Sequence, residues 1–182
     1  LAPAAARDAL PGGFHPLRAF ALGDSGANAF AGVTIGIAGP PALSAELEAL
    51  ADGLGARALR IDGVDRALYH AAAVFASNFG IALLLAARRA WTLAGLPEAE
   101  ARAALAPLLA GATANASAMP LERALSGPIS RGEPDTVADH LERLRRAPDL
   151  AELYRALSAQ LLELDLGHSP EVRQQLLAAL KR

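Results

Sequence analysis

The chain has 182 residues, of which 53% are hydrophobic and only 4% aromatic, so its core is expected to consist mainly of Ala, Leu and Val. A formal net charge of −2 provides no basic field that would attract nucleic acid. The absence of cysteine excludes disulfides, thiolate metal sites and cysteine nucleophiles. No secretion signal or lipidation motif is recognisable, and the expected location is the cytoplasm.

The first third of the sequence predicts an α/β sheet. Phe14–Phe20 opens as a short strand that His15-Pro16 ends, because proline lacks the amide donor of a central strand. Gly32–Gly39 is apolar on both faces, which is typical of a buried parallel strand. The other predicted elements are a helix over residues 2–10, an amphipathic helix from Pro40-Pro41 to Gly55, and a third strand over Ala56–Ile61.

The stretch Asp65–Ala94 predicts one unbroken, mostly buried helix, on the order of 45 Å long at about 1.5 Å per residue. Its uncharged run Ala71–Ala87 raises the alternative of a membrane span. A span requires about twenty apolar residues, whereas this run is shorter and carries Ser77, Asn78 and Gly80 in its middle. The pattern therefore favours a core helix and predicts no membrane association.

The rest of the chain is predicted to be helical. A second helix begins at Leu96-Pro97, and Pro107 is expected to kink or break it. After a loop over Gly127–Pro134, further helices are predicted over Asp135–Arg146, along the leucines from Leu150 to Leu164 up to Gly167, and from Ser169-Pro170-Glu171 onward. The predicted fold class is an α/β remnant over residues 1–62 followed by an all-α helical bundle over residues 63–182, built on one long central helix.

Two places carry polar side chains in apolar surroundings. His15-Pro16 lies at a predicted strand end, and in open α/β sheets ligands bind beyond the carboxyl ends of strands. Within the long helix, Ser77 falls within about 20° of His70, and Asn78 lies about 80° round from it, so one side is locally polar. Buried polar groups need partners, which are backbone groups, other side chains or a ligand. Both the ligand and the structural interpretations remain open at this point.

Arg131 is a further candidate because glycines and prolines surround it in Gly127–Pro134. Such a stiff loop can hold a guanidinium toward a carboxylate or phosphate. The alternative is an ion pair with a nearby acid of the chain. Gly23–Gly26 lacks the spacing of a phosphate-binding loop and predicts a plain turn. The four histidines are scattered, so no metal site is predicted.

Four segments of this chain together resemble a known family: FHPLRAF, GVTIGIAG, RALRIDGVDRALYHAAAVFASNF and SGPISRGEPDTVADHLERL. They are similar to the bacterial Rossmann-like proteins with a helical C-terminal domain of unknown function, relatives of pyrroline-5-carboxylate reductase and 6-phosphogluconate dehydrogenase. The resemblance extends to about Leu166 and is most specific in YHAAAVFASN and GPISRG. In that family the dinucleotide-binding domain comes first, and the helical domain that follows usually mediates dimerisation.

The resemblance implies that residues 1–62 are the C-terminal part of a Rossmann sheet whose glycine fingerprint this sequence lacks. The implied activity is that of the C-terminal portion of an oxidoreductase that uses NADP or NAD and acts on a small carbonyl or imine substrate. The implied partners are a second copy of the chain, bound through the helical domain, and the small-molecule substrate. The alternative is a non-catalytic module for dimerisation or ligand binding.

The resemblance also implies roles for individual residues. His70 and Asn78 are the implied catalytic residues, with His15 as an alternative proton donor. His15 and Pro16 would lie close to the nicotinamide. Ser77 and Arg131 would bind the substrate, the guanidinium gripping an anionic group.

Overall fold

The computed structural model describes residues 9–20, 26 and 28–181. Within these residues the elements follow the order β1 (Gly13–Pro16), β2 (Thr34–Ala38), α1 (Pro41–Gly53), β3 (Arg57–Arg60), α2 (Arg66–Ala76), α3 (Asn78–Leu93), α4 (Glu98–Ala118), α5 (Leu121–Ala124), α6 (Pro128–Arg131), α7 (Pro134–Leu144), α8 (Pro148–Leu161) and α9 (Pro170–Leu180). A small sheet followed by a mostly helical region is the predicted fold class, which is confirmed. The chain divides into two compact units, one ending at Phe79 and the other beginning at Gly80.

The sheet of the first unit has the order β1-β2-β3, with β2 in the centre. Strand β2 runs parallel to β3 and antiparallel to β1. The prediction of a buried parallel strand is therefore right for one side of β2. Ile35 and Ile37 are fully buried and form a core with residues of α1. All three predicted strands exist: β1 ends at Pro16 as expected, and β2 and β3 are shorter than their sequence patterns suggested. The helix predicted over residues 2–10 and most of the Gly23–Gly26 turn lie outside the described residues.

The long central helix exists, but two of its predicted properties are wrong. It is interrupted at Ser77, whose backbone angles of φ −121° and ψ −71° leave the helical region. It is also not mostly buried, since neither α2 nor α3 contains a buried residue. Leu68, Phe75 and Ile81 are 70%, 71% and 66% exposed. The stretch Arg66–Leu93 is long and apolar enough to cross a membrane by length and composition alone, which is weak evidence for a span.

The second unit is helical throughout, and its core lies where α7, α8 and α9 pack together. The buried core residues are Ile129, Val137, Leu141, Ala151, Leu162, Leu176, Ala179 and Leu180. Ser169 caps α9 by accepting a hydrogen bond from the backbone N–H of Val172, as its sequence pattern predicts.

Three local expectations for this unit are wrong in whole or in part. Helix α4 runs through Pro107 without the expected break, and the alternative of a kink stays a prediction. This helix is almost entirely exposed, with Ala101 as its one buried residue, so few packing contacts oppose the local adjustment that proline requires. Helix α8 ends at Leu161, well before Gly167. The predicted loop over Gly127–Pro134 contains the helical turn α6, which Gly132 closes in a left-handed conformation (φ 67°).

The predicted domain boundary between residues 62 and 63 stays a prediction. The division at Phe79 and Gly80 reflects how compactly the chain packs within each unit. Independent folding, which defines a domain, is a different property.

Candidate functional site

The sheet of the first unit places His15 on the face opposite the α1 core. His15 pairs with Gly36 and Phe14 with Ile37, and directly paired residues share a face. Phe14 packs with the buried core, so His15 points to the other side. The expectation that His15 lies beyond the carboxyl ends of parallel strands is wrong. Because β1 is antiparallel, its end at Pro16 pairs with Ile35 at the amino-terminal part of β2.

Helix α2 begins over this same face of the sheet. Asp65 caps it by accepting hydrogen bonds from the backbone N–H groups of Ala67 and Leu68, at 2.9 and 3.1 Å. One turn later, the Tyr69 hydroxyl lies only 2.5 Å from the position that a Cβ on Gly36 would take. A glycine inside a strand commonly marks such a close approach. Gly36 therefore makes the space that the Tyr69 phenol occupies.

The side chains of Tyr69 and His15 are joined by a hydrogen bond. The Tyr69 Oη lies 3.1 Å from His15 Nδ1, and the two rings meet edge to face with centroids 5.6 Å apart. The His70 ring is 6.2 Å from that of His15. Burial raises the pKa of the Tyr69 hydroxyl above its ordinary value, because the charged phenolate is disfavoured away from water. The phenol is therefore neutral across the physiological pH range.

The interruption of the long helix supplies two more polar groups. Ser77 Oγ lies 2.8 Å from the Ala73 carbonyl oxygen and 2.9 Å from Asn78 Oδ1. A hydroxyl has one hydrogen, so Ser77 shares it between these two acceptors and orients the Asn78 amide.

An open groove of about 610 Å³, here called the β1–α2 groove, brings these groups together. The polar and predicted residues that line it are His15, Pro16, Arg18, Tyr69, His70, Ser77 and Asn78. Five of the six predicted site residues thus share one groove, within one compact unit. Imidazole, phenol, hydroxyl and amide groups of this kind can bind a polar group, and the imidazole and phenol groups can exchange a proton with it.

Arg131 belongs to the second unit and is already paired. Its Nε and Nη2 donate to the two carboxylate oxygens of Glu133 at 2.6 and 3.0 Å. This hydrogen bond is the main reason why the pKa of Glu133 is lowered and that of Arg131 is raised. Both side chains are exposed enough for the pair to be screened by solvent. The alternative of an ion pair with a nearby acid thus describes the structure, and a substrate role for Arg131 stays a prediction.

The carboxyl ends of β2 and β3 form a different environment. Here Asp62 Oδ1 accepts a hydrogen bond from the backbone N–H of Gly39 at 3.0 Å, and Arg60 pairs with the same carboxylate. The Gly39 hydrogen bond is the main cause that lowers the pKa of Asp62. An ionised carboxylate therefore lies at the turn from β2 into α1, which makes this turn unfavourable for an anion.

The second unit contains a histidine–tyrosine pair of its own. His140 Nδ1 lies 2.9 Å from Tyr154 Oη, and the rings meet at 89°. This contact joins α7 to α8 and gives His140 a packing role. Among the described residues, no group of three or more His, Cys, Asp or Glu side chains could hold a metal ion.

Sequence reasoning left Tyr69 and Gly36 without a role. Tyr69 was one of the polar residues in the long helix, but its partner lies 54 positions away in another element. The usable signal was Gly36 in the middle of a buried strand, since such a glycine predicts that another group approaches closely.

Comparison with known proteins agrees with this fold. Residues 33–161 match the model of a protein family, the domain of unknown function DUF2520. Comparison with curated proteins gives no significant match.

Two solved structures are similar to the chain. Protein BF3122 from Bacteroides fragilis, provisionally named an NADP oxidoreductase, is 25% identical, with a TM-score of 0.67 over 84% of this chain and 57% of its own. Protein TM1727 from Thermotoga maritima is 23% identical, with a TM-score of 0.70 over 94% of this chain and 63% of its own. This chain spans less than two thirds of the length of either. The fold is therefore Rossmann-like and is shared with a protein provisionally named an NADP oxidoreductase.

Proposed function

Because the chain belongs to the family defined by DUF2520, whose model matches residues 33–161, we propose that it is part of an NADP- or NAD-dependent oxidoreductase. The proposed substrate is a small carbonyl or imine compound. The observation that supports this most directly is the β1–α2 groove, where His15, Tyr69, His70, Ser77 and Asn78 meet on a Rossmann-like sheet. The provisional name of the Bacteroides fragilis relative supports the same class.

The described residues fit one end of such a dinucleotide and not the other. The Asn78 amide and the His15-Pro16 edge suit a nicotinamide, whose carboxamide needs hydrogen-bond partners. The turn into α1 does not suit a pyrophosphate, because Asp62 is negatively charged and already holds the Gly39 amide. When bound, the nicotinamide would supply hydride transfer. This chain's residues would orient the substrate and exchange its proton.

In this proposal His70 or His15 exchanges a proton with the substrate, and Asn78 and Ser77 orient it. Arg131 would bind an anionic group of the substrate. Because its guanidinium already donates to Glu133, that group would have to displace the Glu133 carboxylate or share the guanidinium with it. A cytoplasmic location belongs to the same proposal.

The test uses the protein expressed from its complete gene. We expect calorimetric binding of NADPH or NADH, and loss of reduced-nicotinamide absorbance with a panel of small aldehydes, ketones and imines. His70→Gln and Asn78→Ala should each lower turnover about 100-fold, the usual range for groups that exchange protons or position a substrate. Arg131→Ala should raise the KM of an anionic substrate.

His140→Gln is the matched control, since it alters a histidine of the second unit that already bonds to Tyr154. It should leave turnover unchanged. Unchanged turnover in the His70, Asn78 and Arg131 variants would contradict these roles. Failure of the unaltered protein to bind either nucleotide would contradict the oxidoreductase proposal as a whole.

The exposed apolar surface supports the second proposal, a non-catalytic module that dimerises. Large apolar side chains of α2, α3 and α4 are open to solvent, among them Phe75 at 71%, Ile81 at 66% and Leu108 at 70%. Single exposed apolar residues are ordinary, but a helix as long as α4 with one buried residue favours burial against another chain. Light scattering that shows a dimer, combined with no nucleotide binding, would favour this module over the enzyme.

A further inference from the structure

The Tyr69 phenol is the only hydroxyl of the β1–α2 groove that is hydrogen-bonded to an ionisable side chain, among the residues that the structure describes. Its Oη lies 3.1 Å from His15 Nδ1. The space for it depends on Gly36, because a Cβ there would meet Oη at 2.5 Å and Ile61 at 3.2 Å. The phenol is thus held at a fixed position on the sheet, beside His70, Ser77 and Asn78.

The direction of the hydrogen bond depends on the protonation of His15. A neutral imidazole with its hydrogen on Nε2 accepts the phenol hydrogen through Nδ1. A protonated imidazole donates from Nδ1 to the phenol oxygen instead. In that state the Tyr69 hydrogen turns away from His15, and the phenol can donate it to a molecule in the groove.

Resting on the oxidoreductase activity proposed above, and in place of the histidine donors named there, we infer that Tyr69 donates the proton to the substrate, that His15 is its positioning residue, and that the reacting group is the carbonyl of an aldehyde or ketone. Reduction by a dihydronicotinamide adds hydride to the carbonyl carbon, breaks the C=O π bond and leaves an electron pair on oxygen. That oxygen takes the Tyr69 proton and becomes an alcohol. The phenolate takes the Nδ1 proton of His15, which ends neutral, and the nicotinamide ends oxidised.

This arrangement favours a carbonyl compound over an imine. An imine is reduced most readily as its cation, which already carries the proton and needs no donor. A carbonyl oxygen becomes strongly basic during reduction and does need one. Burial keeps the phenol protonated by raising its pKa, so the donor is in the required state before the reaction.

Other charged and titratable groups surround the pair. His70 lies on α2 beside Tyr69, and Arg18, which follows β1, lines the same groove. Arg66, at the start of α2, reaches to within 3.6 Å of a Cβ placed on Gly13. No carboxylate lines the groove within the described part of the chain. The surroundings are therefore neutral to cationic, which suits a site where negative charge develops on oxygen.

The first test measures the ionisation of the Tyr69 phenol directly and needs no substrate. The chain has two tyrosines, so Tyr154→Phe leaves Tyr69 as the one phenol whose ionisation is seen by ultraviolet absorbance. At alkaline pH neutral His15 accepts from the phenol and favours its protonated form. Replacing it by leucine should therefore move the titration of Tyr69 to lower pH. His15→Asn, which places an amide oxygen near the Nδ1 position, should restore most of the difference.

His70→Gln is the control and should leave that titration in place. If His15→Leu does not move the titration, or if His70→Gln moves it equally, the positioning role of His15 is wrong.

The second test follows turnover. Tyr69→Phe keeps the ring and removes the proton, so kcat for a carbonyl substrate should fall about 100-fold while KM and NADPH binding change little. Tyr154→Phe should leave kcat unchanged. An unaltered protein that binds no nucleotide and reduces nothing contradicts the proposed function, and this inference falls with it. Normal carbonyl turnover in Tyr69→Phe, or reduction of imines alone, contradicts only the inference.

Discussion

The two histidine–tyrosine pairs have nearly the same geometry and different surroundings. In the first unit Tyr69 lies 3.1 Å from His15 Nδ1 with rings at 73°, and in the second Tyr154 lies 2.9 Å from His140 Nδ1 with rings at 89°. Tyr69 lines an open groove with other polar groups. Tyr154 packs against the buried core of the second unit, and its helix α8 is joined to α7 through His140.

The comparison shows that a hydrogen bond between imidazole and phenol does not by itself indicate a site. Burial raises the pKa of both phenols, so their protonation states do not distinguish the pairs either. The difference lies in what each tyrosine ring contacts besides its histidine partner. The Tyr69 ring faces the space above Gly36 and the polar β1–α2 groove, whereas the Tyr154 ring lines a smaller, apolar hollow of about 200 Å³ among leucine and alanine side chains.

The largest difference is expected when each tyrosine is truncated. Tyr154→Ala should lower the free energy of unfolding of the second unit by about 3 kcal/mol, since it removes an aromatic ring from the core. Tyr69→Ala should cost the first unit about 1 kcal/mol, close to the value of one hydrogen bond. Urea unfolding measures the first effect through Trp91, the single tryptophan, which lies in α3 of the second unit.

If Tyr154→Ala and Tyr69→Ala lowered the free energy of unfolding equally, the proposed difference between the two pairs would be wrong. Far-ultraviolet circular dichroism during the same titration shows whether the first unit unfolds separately. The variant Tyr154→Phe controls for the loss of the hydroxyl alone.

A smaller loss is expected from Gly36→Ala. The added Cβ would lie 2.5 Å from the Tyr69 hydroxyl and must displace it, which should cost about 2 kcal/mol by overpacking. The hydrogen bond between Tyr69 and His15 should be lost too. The titration of the Tyr69 phenol in this variant should therefore resemble its titration in the His15→Leu variant. Gly111→Ala, in a helix where nothing lies within 4 Å of the added carbon, should be neutral or slightly stabilising.

The smallest expected effect concerns acid stability near the second pair. Arg89 donates to both carboxylate oxygens of Asp149, joining α3 to α8, and this hydrogen bond is the main cause that lowers the pKa of Asp149. A lowered carboxyl pKa stabilises the folded state above the unfolded value of about 4 and loses that contribution as the pH falls through the folded value.

Arg89→Gln should therefore unfold more easily near neutral pH and lose less further stability below about pH 4 than the unaltered protein. Thermal unfolding monitored by Trp91 across this pH range measures the difference. Parallel pH profiles for the two proteins would show that the exposed pair contributes nothing, as many surface pairs do.

The sequence predicted most elements of the fold because their signals are local. Three strands, the long helix and the Ser169 cap follow from apolar runs, glycines and capping residues. Burial of the long helix could not be predicted this way. Its composition suits either a core or a surface that another molecule covers, and only the packing of the other elements decides between them.

The candidate site was predicted in part for a similar reason. His70, Ser77 and Asn78 lie close together in sequence, so helical spacing alone could group them. The contact of His15 with Tyr69 depends on the antiparallel register of β1, which no local pattern specifies. Arg131 was open to two interpretations because Glu133, two residues away, is within reach of its guanidinium.

The missing side chain at Gly36 also has a consequence for how relatives of this chain can vary. Because the Tyr69 phenol occupies the volume of a Cβ at position 36, the two positions cannot change independently. Relatives that carry alanine or a larger residue at 36 should have a shorter side chain in place of Tyr69, and those that keep the tyrosine should keep the glycine. A family alignment that showed free recombination of the two positions would mean that the sheet and helix α2 adjust more readily than close packing allows.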